Sequence, residues 1–135
     1  RSIMEGCVYD NYHSLKEIMD LGIEVNEIIF VGGPSNSNTW CQILADVTGK
    51  KVITVNTLEA STFGDAVVAG VGAGLFDSFE QAVDKVVKTK KVYEPIEKNH
   101  KLYKEMHDLF LSIYNDSLEN FKTLAAIREK YNILK

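Results

Sequence analysis

The chain has little cysteine, little histidine, no excess of basic residues and no long apolar run, and each shortage excludes a class of protein. Two cysteines, Cys7 and Cys41, in 135 residues are too few for a Cys-only zinc site or a disulfide scaffold. They leave room for one bridge, but isolated pairs like this are more often reduced. Lys and Arg number 15 against 19 Asp and Glu, a net charge of −4. That balance argues against a sequence-independent nucleic-acid binder, whose affinity comes from a basic surface. No apolar stretch approaches the roughly 18 residues of a membrane span, and the opening segment lacks a signal-peptide core. The expectation is a soluble, cytoplasmic chain with no membrane or nucleic-acid partner. It begins at Arg1 rather than Met, as a piece of a longer protein would.

What is present is ordinary globular material: 45% hydrophobic and 25% charged residues. The periodicity predicts a helix over Ser2 to Leu21, with Met4, Val8, Tyr12, Leu15 and Met19 on one face and Gly22 as its stop. Ile28 to Val31 reads as a buried strand, followed by Gly32-Gly33 and a polar turn over Pro34 to Thr39. Trp40, Ile43, Leu44 and Val47 mark a helix ended by Gly49. Lys51 to Val55 reads as a second strand. Asn56 is placed to cap a third helix, with Glu59 as the reciprocal partner. That helix carries a stripe of small residues, Ala66, Gly70 and Gly74, worth its propensity cost only where another element packs closely. A short amphipathic helix begins at Ser78, with Ala82, Val83, Val86 and Val87 inward. Lys88 to Lys91 reads as a basic connector, and Tyr93-Glu94-Pro95 as a break. Leu102, Met106, Leu109, Ile113, Phe121 and Leu124 then lie on a helical period, as one long helix or two joined near Asn115-Asp116. Strands alternating with helices predict an α/β fold with at least one parallel pair. Two strands make a small sheet that wants neighbours beyond this chain.

The loop Phe30 to Asn38 carries the strongest chemical signal. A strand enters two glycines, then a polar turn, then a helix. Glycines let a ligand approach the backbone, and the helix start offers free N–H groups. A nucleotide pocket at the C-terminal end of a strand is the functional reading; a turn with an Asn or Ser cap is the plainer one. The loop is neither a P-loop nor a dinucleotide fingerprint. His100 and His107, seven apart, lack a third ligand for a metal, and His13 stands alone. Cys7 and Cys41 read as inert packing, Trp40 as a core anchor, and Asp65 as a surface carboxylate. No Ser/His/Asp set, carboxylate pair or metal cluster emerges.

Taken together, Gly32-Gly33-Pro34-Ser35-Asn36-Ser37-Asn38-Thr39-Trp40-Cys41-Gln42-Ile43-Leu44-Ala45-Asp46-Val47-Thr48-Gly49, then Glu59 to Ala66, Gly70 to Phe76 and Tyr93-Glu94-Pro95, resemble the C-terminal domain of FGGY carbohydrate kinases. That family includes xylulokinases and gluconokinases and belongs to the actin and heat-shock ATPase superfamily. The stretch Trp40 to Ile43 with Tyr93-Glu94-Pro95 also resembles kinases of the autoinducer signal molecule. The resemblance implies a partial RNase H-like (actin-like ATPase) lobe, with helices on a small, mostly parallel sheet and a long C-terminal helix. Residues 1–135 would be the nucleotide-binding part of the second kinase domain, with the N-terminal sugar-binding domain lying outside the chain. It further implies that Gly32 and Gly33 line a nucleotide near its ribose and α-phosphate, and that Ser37 sits near the adenine. Asn36 stands where the family commonly has Lys, Pro34 where it has Gly or Ala, and Asp65 where it has Ala. The cofactor would be ATP or ADP with Mg, the metal held by phosphates and the rest of the enzyme. The general base and sugar site have no match here, so no catalytic residue is assigned. The implied function is part of an ATP-dependent kinase of xylulose- or gluconate-type sugars, inactive alone. A non-catalytic nucleotide-binding or interaction module is the other reading. An uncovered sheet edge and domain interface lead to an expectation of homo-oligomers.

Overall fold

The structure, a computed structural model, describes residues 1–56 and 59–132. The described chain divides into two units, Arg1–His100 and the segment from Lys101 onward.

The first unit is built on a three-stranded sheet. Helix α1 (Ser2–Asp20) precedes strand β1 (Glu27–Phe30); a 3-10 turn (Gly33–Asn36) leads into α2 (Asn38–Thr48), then β2 (Lys51–Val55). Helix α3 (Ala60–Gly72), helix α4 (Phe79–Val86) and strand β3 (Thr89–Tyr93) follow. Strand order is β1-β2-β3. β1 and β2 run parallel, with Ile28 opposite Val52 and Phe30 opposite Thr54. The α2 crossover between them is what a parallel pair requires. β3 is antiparallel to β2. The core lies on α2, whose residues 43–48 are all buried, with Val8 and Tyr9 of α1, and Val52 and Val55 of β2.

The expected face of α1 is found: Met4, Tyr12, Leu15 and Met19 are part-buried around fully buried Val8. α2 stops at Gly49, which takes the left-handed conformation (φ 66°) and donates its N–H to the Ala45 carbonyl at 2.9 Å. A residue without Cβ enters that region at no steric cost.

Four features differ from the sequence reading. The basic connector is strand β3: all but Tyr93 of its side chains are exposed, so it shows no apolar alternation, and its pairing with β2 defines it. Asn56 does not cap α3, because its amide is spent elsewhere. Its Nδ2 donates to the Val86 carbonyl (3.1 Å), and its Oδ1 accepts the Lys88 N–H (2.9 Å). It thereby ties the end of β2 to the α4–β3 connection. Among the described residues the small-residue stripe of α3 meets little: a Cβ on Gly70 would lie 2.9 Å from the Phe76 ring, while Gly64, Gly72 and Gly74 have no neighbour within 4 Å. Cys7 is exposed and Cys41 buried, both as free thiols. α4 begins at Ser78 as expected, its hydroxyl accepting the Gln81 N–H (3.2 Å). Ala82 alone is fully buried among its four inward positions.

Helix α5 (Glu97–Asp116) and helix α6 (Leu118–Lys130) are the two-helix form of the final segment. Within the second unit, Tyr114 and Phe121 pair across the junction, ring centres 6.0 Å apart. The periodic apolar residues Leu102, Met106, Leu109, Ile113, Phe121 and Leu124 are exposed, whereas Tyr103 and His107 are buried. Spacing located an apolar face but not its cover.

Candidate functional site: the glycine loop and the cleft beside it

At the end of β1 the chain reaches Gly32 with φ 85° and ψ −174°, a region open essentially to glycine alone. The Gly32 carbonyl then accepts the Ser35 N–H (3.1 Å) and the Ser35 hydroxyl (2.7 Å). Pro34, at the first turn, needs no N–H there, and its carbonyl accepts the Ser37 N–H (3.0 Å). Ser37 is the N-cap of α2: its hydroxyl accepts the Trp40 N–H at 3.3 Å. The Cys41 thiol donates back to the Ser35 carbonyl (3.4 Å). The turn is thus folded on its own hydrogen bonds, with Ser35 buried beneath it and Gly33 and Asn36 exposed on it.

β3 approaches the same turn from the side. Lys90 Nζ donates to Asn36 Oδ1 (3.4 Å), and Lys91 Nζ to Asn38 Oδ1 (3.0 Å). The Tyr93 hydroxyl also donates to Asn38 Oδ1, at 2.7 Å. Burial raises the Cys41 thiol pKa above its ordinary value, although the Tyr93 hydroxyl and the Lys91 charge oppose this. A thiol held protonated is a poor nucleophile, in keeping with packing. Burial likewise raises the Tyr93 phenol, with the neighbouring Cys41 adding to it.

Beside the loop lies a cleft of about 550 Å³ whose lining includes Asn38, Gln42, Asp46, Lys91, Tyr93 and Asn99. Its floor is organised by Asp46, only 2% exposed. Asp46 Oδ1 accepts from Gln42 Nε2 and from the Ile96 N–H, each at 2.8 Å, and Oδ2 accepts from Asn99 Nδ2 at 2.8 Å. Gln42 Nε2 also reaches the Glu94 carbonyl (2.9 Å). With both oxygens engaged, Asp46 anchors α2 to the start of α5; it is a structural carboxylate. None of Gly32, Gly33, Asn36 or Ser37 lines this cleft, though Asn38, next in the chain, does. The sequence assigned no role to Gln42, Asp46 or Tyr93. The signal for the first two was a polar pair four apart, one helical turn, among apolar neighbours.

A second, apolar cavity of about 250 Å³ lies between α1, β1 and α2, lined by residues including Val8, Phe30, Trp40 and Leu44. Trp40 is therefore only part-buried, an anchor on the wall of a hollow. His100 Nδ1 donates to the Asp46 carbonyl (2.9 Å). Among the described residues, no three His, Cys, Asp or Glu side chains cluster as a metal site, and no helix is long and apolar enough to cross a membrane.

The fold is the one found in solved xylulose and gluconate kinases. The solved structure of ligand-bound xylulose kinase from Lactobacillus acidophilus superposes with a TM-score of 0.83 at 19% identity, over 92% of this chain and 25% of that one. Residues 1–73 match the C-terminal domain of the FGGY family of carbohydrate kinases, and the chain belongs to that family. It is 32% identical over 117 residues to a xylulose kinase of Staphylococcus epidermidis, covering 87% of this chain and 24% of that protein. It is 34% identical over 119 residues to an autoinducer-2 kinase of Escherichia coli, covering 87% and 22% respectively. The chain thus spans about a quarter of the length of these relatives.

Proposed function

We propose that this chain supplies the adenosine side of the ATP site in a carbohydrate kinase, one that phosphorylates a sugar hydroxyl of the xylulose or gluconate type. The observation that carries this reading is the glycine pair. Gly32 holds a backbone conformation closed to other residues, and nothing among the described residues lies within 4 Å of where a Cβ would stand on Gly32 or Gly33. The pair sits at the C-terminal end of a parallel strand, before a helix N-terminus, where open α/β sheets receive ligands. A nucleotide fits such a backbone without displacing a side chain.

In this reading Gly32 and Gly33 meet the ribose and α-phosphate, Asn36 lies beside them, and Ser37 faces the base. The Ser37 hydroxyl, although it accepts the cap bond, keeps its own proton to donate. ATP supplies the phosphoryl group, and phosphoryl transfer is mainly positioning and charge neutralisation. The metal, the general base and the sugar contacts are assigned to the parts of the kinase outside these residues. The chain alone is therefore expected to bind nucleotide and to transfer nothing.

Calorimetric titration of the chain with ADP tests this. Saturable binding that disappears in Gly33→Val supports the pocket, whereas a folded chain that binds neither ADP nor ATP overturns it. A sugar-phosphorylation assay should read zero; turnover by this chain alone would refute the assignment of the catalytic groups elsewhere.

A further inference from the structure

We infer that the cleft between α2, β3 and the start of α5 is a second ligand site, for an uncharged polyhydroxylated molecule of the sugar or sugar-alcohol class. It is separate from the glycine loop, since Gly32, Gly33, Asn36 and Ser37 do not line it, and it does not rest on the nucleotide reading. Its volume, about 550 Å³, lies within the range of small-molecule pockets, roughly 300–1,000 Å³.

The lining selects the ligand. Three amides, Asn38, Gln42 and Asn99, line the cleft. An amide side chain has a carbonyl acceptor at one end and an NH₂ donor at the other, and its partners decide which end remains to a ligand. Gln42 Nε2 donates to Asp46 Oδ1 (2.8 Å) and to the Glu94 carbonyl (2.9 Å), and Asn99 Nδ2 donates to Asp46 Oδ2 (2.8 Å). The remaining oxygens, Gln42 Oε1 and Asn99 Oδ1, have no hydrogen bond among the described residues. Asn38 is held the other way round. Its Oδ1 accepts from Lys91 Nζ (3.0 Å) and from the Tyr93 hydroxyl (2.7 Å), which leaves Nδ2 as the donor. The buried Asp46 carboxylate thus presets two acceptors, and the Lys91–Tyr93 pair presets one donor.

A hydroxyl donates and accepts at once. Neighbouring hydroxyls on one carbon chain therefore satisfy the Gln42 and Asn99 oxygens and the Asn38 amide together. Charge does not select an ion: the lining sets Arg1 and Lys91 against Asp46 and Glu94, and Arg1 is already paired with Glu5 at 2.8 Å. Orienting the polar groups before the ligand arrives lowers the ordering cost of binding.

The test is an NMR titration of the full chain with xylitol and myo-inositol, and with glycine betaine at the same concentrations as an osmolyte without hydroxyls. Both polyols should give saturable shifts of the Asn38, Gln42 and Asn99 side-chain amides, and betaine none. Asn38→Asp keeps an acceptor for Lys91 and Tyr93 but removes the donor, so it should weaken polyol binding about three- to tenfold, the loss of one hydrogen bond. Saturating ADP should leave the polyol shifts in place. No saturable shift with either polyol, equal shifts with betaine, unchanged affinity in Asn38→Asp or displacement by ADP would each overturn the site. A chain that binds polyol but not ADP would overturn the nucleotide reading and leave this site standing.

Discussion

The Asp46 carboxylate accepts the backbone N–H of Ile96 at 2.8 Å, joining the last turn of α2 to the residue before α5, fifty positions along the chain. Through Gln42 and Asn99 the same carboxylate sets the floor of the cleft. Asp46→Ala would leave three part-buried donors without their carboxylate and should destabilise the chain by about 3 kcal/mol. Urea denaturation measures it; a loss under about 0.5 kcal/mol would show that water replaces the carboxylate.

Gly49 and His100 make a second long-range contact. A Cβ on Gly49 would lie 2.6 Å from His100 Cε1, at a backbone φ of 66°. Gly49→Ala should therefore cost the left-handed penalty of about 1–2 kcal/mol and displace the ring from the Asp46 carbonyl as well. Adding His100→Ala should relieve the collision but not the backbone strain. A double-mutant cycle by chemical denaturation should show coupling between the two; strict additivity would contradict the collision.

The glycine pair should separate by stability. Gly32→Ala forces a Cβ into φ 85°, ψ −174°, at about 1–3 kcal/mol. Gly33 has no positive φ and open space around it, so Gly33→Ala should leave the thermal midpoint nearly unchanged. Equal losses in the two variants would mean that the turn is held by more than the Gly32 conformation.

Gly64 lies inside α3 with nothing among the described residues within 4 Å of a Cβ. Gly64→Ala should stabilise by about 0.5–1 kcal/mol through helix propensity alone. Destabilisation in the isolated chain would reveal a packing partner for that face.

Alkaline pH should weaken the fold through two neighbours. Burial raises both the Cys41 thiol, ordinarily near 9, and the Tyr93 phenol, ordinarily near 10. The folded state then holds protons that the unfolded chain releases, so their contribution is complete below pH about 9 and fades as pH rises through the raised values. The thermal midpoint should fall between pH 8 and pH 11 (order-of-magnitude limits of the two titrations), and Cys41→Ala/Tyr93→Phe should fall less steeply. Parallel pH curves would assign the loss to other groups.

Local chemistry made much of the first unit readable. The β-branched run before Gly32-Gly33, the stop at Gly49 and the cap at Ser78 are consequences of side-chain shape and of what each residue can offer its own backbone. The order of spaced motifs, Gly32 to Gly49 above all, carried the family. β3 was not readable, because an exposed edge strand of lysines has no apolar period; only the presence of β2 beside it makes it a strand. Neither was Asn56, whose amide could cap a helix locally but finds better partners at Val86 and Lys88, thirty residues on. The helical period of the last segment reported an apolar face without reporting whether anything covers it. The bulge at Lys90, where Thr54 stands opposite Lys91 but Val55 opposite Thr89, is likewise invisible in sequence, since register is a property of two strands together. Sequence alone thus determined the elements whose ends and faces are set by neighbouring residues, and with them the nucleotide-loop hypothesis. The tertiary structure decided where Asp46 acts, because the Ile96 N–H and the Asn99 amide that hold its carboxylate come from fifty and fifty-three positions away, which no local pattern records.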